Sequence, residues 1–234
     1  PSLVGSEMCI RDSSNLVTTP EGVLAIRSSV AEAPHLVSID TATGDVTVRI
    51  NPADDLKPAG RLEEVTTTAA DGTEIRAWLA LPATASGTAT TASGTGAIAP
   101  YPLAVFVHGG PWGSWNSWTY RWNPWPFVEA GYAVLMPDPA ISTGYGQAFI
   151  DRGQQELGGA PFDDVMALTD ATIARDDIDE TRQALAGGSY GGYLANWVAG
   201  HTRDRFRCIV THASLWDVTT MGATTDNGLS LIHI

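Results

Sequence analysis

Ser189 lies in Ala186-Gly187-Gly188-Ser189-Tyr190-Gly191-Gly192-Tyr193, where Gly187, Ser189 and Gly191 spell G-x-S-x-G. A serine hydroxyl becomes a useful nucleophile only when a base can take its proton and fixed amide protons can face the charge it creates. Glycine on both sides permits a bend so tight that a Cβ would collide, which thrusts the hydroxyl above a sheet edge. With 24 glycines in 234 residues the same spacing also arises by chance, and a glycine-rich turn is the plain alternative. A second turn raises the odds. His108-Gly109-Gly110-Pro111 follows the apolar run Leu103 to Val107 and precedes the serine in chain order. Its backbone N–H groups could face the carbonyl oxygen that turns negative when serine attacks, so the pair of turns points to acyl transfer.

The elements that must position these groups can be read on either side. Before the serine, Arg182 to Ala186 ends a buried strand; after it, Leu194, Ala195, Trp197 and Val198 recur at helical spacing. Leu103 to Val107 and Tyr132 to Met136 read as buried parallel strands, and Phe127 to Ala130 closes a helix capped by Gly131. Phe162 to Ala174 places Val165, Leu168, Thr172 and Ile173 on one face, opposite Asp163, Asp164 and Asp170. Asp163 and Asp164 are expected to serve the helix dipole rather than form a paired-carboxylate site, and Asp176 to Asp179 to form a solvated turn. Upstream, Leu62 to Thr68 and Thr73 to Leu81 form a hairpin around Asp71-Gly72. The stretch from Pro82 to Pro100, rich in Ala, Thr, Ser and Gly, reads as a flexible insertion. Strand and helix therefore alternate from Leu103 to Val210, which predicts an α/β fold with a mostly parallel sheet, helices on both faces and Ser189 at its carboxyl edge.

His108 to Pro111, Gly131-Tyr132-Ala133-Val134, Thr143-Gly144-Tyr145-Gly146 and Gly187 to Tyr193 together resemble the catalytic domain of the prolyl oligopeptidase family of serine peptidases. Within it they are most similar to the acylaminoacyl-peptidase and dipeptidyl-peptidase branch. The likeness runs from about Leu62 to Asp217, with Gly-Gly-Ser-Tyr-Gly-Gly-Tyr its most specific piece. It departs at one point: Ala140-Ile141-Ser142 stands where the family usually has Arg-Gly-Ser.

The resemblance implies an α/β-hydrolase fold, a peptide substrate and no cofactor. Ser189 would be the nucleophile, and the N–H groups of Tyr190 and Gly110 would hold the oxyanion. Trp216 would wall the pocket for the residue before the scissile bond; Tyr193 and His108 are also expected on the substrate side. The family's triad Asp and His lie beyond this chain's last residue. His201, His212 and Asp217 are poor substitutes by position, and His233 belongs to a suspect tail, so no base is assigned and the chain as given is expected to lack appreciable peptidase activity. A carboxylesterase of the same fold and a non-catalytic hydrolase-like binding domain are the rival readings.

The rest of the chain sorts around that domain. Val23 to Ile26, His35 to Ile39 and Val46 to Ile50 are short β-like runs, the last two joined by a turn-rich segment. They resemble the final blade of the β-propeller that precedes the hydrolase in the family; an independent hairpin is the alternative. The expected organisation is a non-native, adapter-like segment over 1–13, a partial blade over 14–56, the N-terminal part of the hydrolase over 57–227 and a non-native tail over 228–234. On that view a missing signal peptide carries no information; localisation stays open, with the cytoplasm preferred to secretion. Five tryptophans, Trp112, Trp115, Trp118, Trp122 and Trp125, read either as an aromatic wall near the substrate or as loop packing.

Composition bounds the partners. A net charge of −13 argues against nucleic acid or an anionic membrane, and no apolar run is long enough for a helical membrane span. Cys9 and Cys208 are too few for a disulfide framework and lack metal-ligand spacing, so no metal is expected; Cys208, in Phe206 to Val210, reads as a buried strand thiol.

Overall fold

A computed structural model describes residues 12–83 and 100–224. Most of the adapter-like start, the tail with His233, Cys9 and nearly all of the Pro82–Pro100 insertion lie outside the described residues. The chain divides into two compact units, residues 1–59 with 116–123, and 60–115 with 124–234.

The first unit contains an antiparallel meander: β1 (Asp12–Thr19), β2 (Gly22–Ser28), β3 (His35–Ile39) and β4 (Val46–Ile50), paired in that order. The sequence reading found three of these strands. It missed β1 because Asp-Ser-Ser-Asn-Leu-Val-Thr-Thr has no period-two apolar pattern; its backbone pairs with β2 from Asp12↔Ser28 to Thr19↔Gly22. Val37 and Ala25 are buried, whereas Val46, Val48 and Ile50 are exposed along β4.

The second unit holds the six-stranded sheet. In chain order its elements are β5 (Gly60–Thr68), β6 (Glu74–Pro82), β7 (Tyr101–Val107), α1 (Trp125–Glu129), β8 (Ala133–Asp138), α2 (Gln147–Asp151), α3 (Ala160–Ile173), β9 (Ile178–Gly188), α4 (Tyr190–His201), β10 (Cys208–His212) and α5 (Val218–Thr224). The strand order is β10-β9-β7-β8-β6-β5. β7, β8, β9 and β10 are mutually parallel, and β6 and β5 extend the sheet antiparallel beyond β8. This is the expected α/β architecture, with the Asp71-Gly72 turn joining its antiparallel edge.

Central strands β6, β7 and β8 read as continuous apolar runs because both sheet faces are covered. Leu79, Leu81, Leu103, Val105 and Leu135 are fully buried and share one core with Val165, Leu168 and Leu194. α1 ends in a Schellman motif: Gly131 N–H bonds the Val128 carbonyl and Tyr132 N–H the Phe127 carbonyl, with Gly131 at φ 93°. That closure returns the chain directly into β8.

Two expectations fail on burial. Cys208 is exposed, because β10 is an edge strand of the described sheet and little covers its faces. Asp164, which the helical pattern sets on the face opposite the apolar residues, is instead buried at 1% exposure, because Arg152 and the Ala140 N–H meet its carboxylate.

A serine elbow facing a glycine turn

β9 ends at Gly188 and α4 begins at Tyr190, leaving Ser189 alone at the junction with φ 57° and ψ −121°. A non-glycine residue in that region is strained, and such strain persists where the surroundings enforce it. Three backbone features do so. Ser189 N–H donates to the His212 carbonyl at 3.0 Å, the Ser189 carbonyl accepts from Tyr193 N–H at 3.0 Å, and β10 runs in register with β9 up to His212↔Gly188. The Ser189 side chain is exposed at the carboxyl end of the sheet.

The flanking glycines are required by proximity. A Cβ on Gly187 would lie 2.1 Å from the Gly191 carbonyl oxygen, and one on Gly191 would lie 2.2 Å from the Val107 oxygen and 2.8 Å from the His108 oxygen. These obstacles are backbone and cannot swing aside, so strand, helix and the end of β7 meet only without side chains there. The second elbow glycine has a separate reason. A Cβ on Gly192 would meet the Ser214 Cβ at 2.6 Å, so the loop after β10 packs against the elbow. That loop carries Trp216, which is 77% exposed.

The His108–Pro111 turn faces the elbow. A Cβ on Gly109 would stand 3.0 Å from the Gly188 carbonyl oxygen and 3.4 Å from the Ser189 Cβ. Gly110 is exposed with φ 136°, a conformation that a side chain rarely tolerates, and the Gly110-Pro111 bond is cis. Tyr190 contributes the first N–H of α4, at the positive end of the helix dipole. Its ring is fully buried and its hydroxyl donates to the Leu157 carbonyl at 2.9 Å; burial pushes that phenol above its ordinary range.

Other residues singled out from sequence are placed differently from one another. His108 is 6% exposed, and its ring nitrogens lie 2.8 Å from the Gly109 carbonyl and 2.9 Å from Ser142 Oγ. One ring nitrogen is thus engaged by its own turn and the other by the loop after β8. Tyr193 stacks between Tyr190 and Trp197 on one stripe of α4, and Trp197 stacks on His201 with centroids 4.3 Å apart. His201 sits at the far end of that helix, its Nδ1 2.7 Å from the Trp197 carbonyl. Asp217 accepts from Thr219 N–H and the Thr220 backbone and hydroxyl, which hold its carboxyl below the usual range. Of the tryptophans in this unit, Trp115 and Trp125 are buried and Trp112 is partly exposed beside the glycine turn. Trp115 Nε1–H donates to the Phe106 carbonyl at 3.1 Å, a packing role.

The sequence reading missed a buried polar cluster behind the turn. Asp138, at the end of β8, is fully buried and accepts from Trp115 N–H at 2.8 Å and Tyr145 O–H at 2.5 Å. Burial pushes its carboxyl up, against the pull of His108, these hydrogen bonds and Arg76, its cross-strand partner on β6. Arg152 forms a fork with Asp164 at 2.9 and 3.1 Å and reaches Asp71 at 2.6 Å. The Arg152 hydrogen bond holds the Asp71 carboxyl down at about 2. The one signal available was that Asp138 follows the apolar run Ala133 to Met136 with only Pro137 between them.

The profile described as "Prolyl oligopeptidase family" matches residues 118–231. The chain is 33% identical over 210 residues to dipeptidyl-peptidase 5 of Schizosaccharomyces pombe, covering 88% of this chain and 29% of that protein. It is 40% identical over 149 residues to a probable dipeptidyl-peptidase 5 of Emericella nidulans, covering 62% of this chain and 19% of the relative. Among solved structures, acylaminoacyl peptidase of Pyrococcus horikoshii superposes with a TM-score of 0.78 at 21% identity, over 94% of this chain and 34% of its own. A puromycin-hydrolyzing peptidase of Mycobacterium tuberculosis gives 0.75 at 24% identity, over 93% of this chain and 32% of its own. The chain thus spans less than a third of the length of these curated relatives.

Proposed function

We propose that this chain, which carries a prolyl oligopeptidase family domain, is the nucleophile-bearing part of a serine peptidase that acts on short peptides in the manner of dipeptidyl- and acylaminoacyl-peptidases. The observation that carries the reading is an exposed Ser189 at φ 57°, with the Gly109-Gly110 turn directly against it. Ser189 Oγ attacks the peptide carbonyl carbon as a base takes its proton. The Tyr190 and Gly110 N–H groups steady the oxyanion, the C–N bond breaks with proton return to the amine, and water then releases the acyl group. The dipeptidyl-peptidase 5 relatives support a dipeptide-sized acyl part. Acylaminoacyl peptidase in complex with Z-Gly-Gly-Phe-chloromethyl ketone supports a peptide-like ligand. Trp216, on the loop that Ser214 fastens to the elbow, is assigned to the pocket wall.

The base is placed outside the described residues. The His108 imidazole is engaged by the Gly109 carbonyl and by Ser142 Oγ, and His201 is a 12-residue helix away, roughly 18 Å. His212 lends Ser189 its backbone carbonyl. The four-stranded sheet of the first unit is assigned as the last blade of a propeller.

The test compares two proteins on dipeptidyl p-nitroanilides and p-nitrophenyl esters. The chain as given is expected to release no p-nitroaniline above background, whereas the longer peptidase that carries it turns the anilides over. Ser189-dependent turnover by the given chain would sink the assignment of the base. Ester cleavage without anilide cleavage by the longer protein would favour the carboxylesterase reading.

A further inference from the structure

Oxyanion donors must be held within about 0.5 Å of their productive place, yet the donor turn here is two glycines with little to pack. What fixes it is the loop that follows β8. Three rungs join the two segments. Asp138 Oδ1 accepts from Trp115 N–H at 2.8 Å; Ser142 Oγ meets His108 Nε2 at 2.9 Å; and Thr143 N–H donates to the Gly113 carbonyl at 2.9 Å. The Gly109 carbonyl can only accept, so His108 Nδ1 carries a proton towards it, and in the neutral ring Nε2 takes the Ser142 hydroxyl proton. Tyr145 O–H closes the far side by donating to Asp138 Oδ2 at 2.5 Å. The bracing loop is itself fastened: Ala140 N–H donates to Asp164 at 2.8 Å and Ile141 N–H to the Phe149 carbonyl at 3.0 Å. Asp138 and Ser142 are fully buried, where an unmatched polar group is costly and a matched one holds geometry firmly.

We propose that Asp138 and Ser142 are positioning residues for acyl transfer: through Trp115 N–H and the His108 imidazole they set the Gly109-Gly110 turn at the height where the oxyanion forms. The proposal rests on reading Ser189 as the nucleophile and the Gly110 N–H as an oxyanion donor. Neither side chain enters the chemistry. Their effect belongs on kcat, because a misplaced donor weakens the transition state more than the bound substrate.

The test uses the longer peptidase for kinetics and the chain as given for amide exchange. Ser142→Ala is expected to lower kcat about 10- to 100-fold with KM little changed. Asp138→Ala should lower it at least as far. Asp138→Asn should restore most of that loss, since the amide oxygen still accepts from Trp115 N–H and its NH₂ can donate to the Tyr145 oxygen. In the given chain, Trp115 amide exchange should rise about tenfold or more in Asp138→Ala and stay slow in Asp138→Asn. Unchanged kcat in a folded Ser142→Ala enzyme overturns the proposal, even if Asp138→Ala fails to fold. So does an equal loss in Asp138→Asn and Asp138→Ala that tracks only a lowered unfolding midpoint. Wild-type turnover in Ser189→Ala would instead strike the nucleophile assignment, so the two failures are distinguishable.

Discussion

Ser189→Ala is expected to reduce hydrolysis of dipeptidyl p-nitroanilides by the longer peptidase about 10⁴- to 10⁶-fold, the range seen when the nucleophile of a serine enzyme is removed. The fold should survive, because the elbow is held by backbone bonds, Ser189 N–H to His212 and Tyr193 N–H to Ser189, that alanine keeps. Steady-state kinetics beside a circular dichroism melt check both halves. Residual turnover within tenfold of wild type would mean that another group attacks. Loss of labelling by a fluorophosphonate should accompany the loss of turnover, since both need the same hydroxyl.

The largest stability effect is expected at Arg152. Its guanidinium forks onto Asp164, a carboxylate 1% exposed, so Arg152→Met leaves a buried charge with the Ala140 N–H as its described remaining donor. Breaking such a pair by removing one partner costs about 3–5 kcal/mol. Adding Asp164→Asn to Arg152→Met should return part of that loss by removing the stranded charge. Urea titrations of the three proteins test this; a loss under about 1 kcal/mol for the single variant would show that water replaces the guanidinium. Acid adds a second signature. The Asp71 carboxyl is held at about 2 when folded, against 3.8 for the free group, so its contribution is complete above that ordinary value and fades as pH falls through 2. The gap between wild type and Arg152→Met should therefore narrow in that window. Asp71 is solvent-exposed, which keeps its share small.

Much of the arrangement was legible because it depends on local chemistry. Gly187, Ser189 and Gly191 mark a bend that only glycine permits, and Leu103 to Val107 marks a strand covered on both faces. Both appear where the pattern put them. What escaped depends on partners distant in the chain. Asp164 looks like a dipole-favoured helix residue until Arg152 and Ala140 are brought to it, and Asp138 looks like the start of a loop until Trp115 and Tyr145 close on its oxygens. Cys208 was misjudged for the converse reason: Phe206 to Val210 is apolar enough for a core strand, but burial depends on neighbours that a strand cannot supply for itself. β1 escaped because antiparallel backbone pairing needs no alternation of side chains.

Ile141 has a consequence for how the protein ages under heat. It stands at φ 79°, in the left-handed region that favours glycine, and is fully enclosed. A β-branched residue there carries roughly 1–3 kcal/mol of conformational strain. Its neighbour Ser142 is the one that grips His108. Warming should therefore release this corner first, letting the edge that carries Ser189 drift while the strands behind it remain intact. Thermal inactivation of the longer peptidase should set in several degrees below the melting of its secondary structure, and Ile141→Gly should draw the two temperatures together.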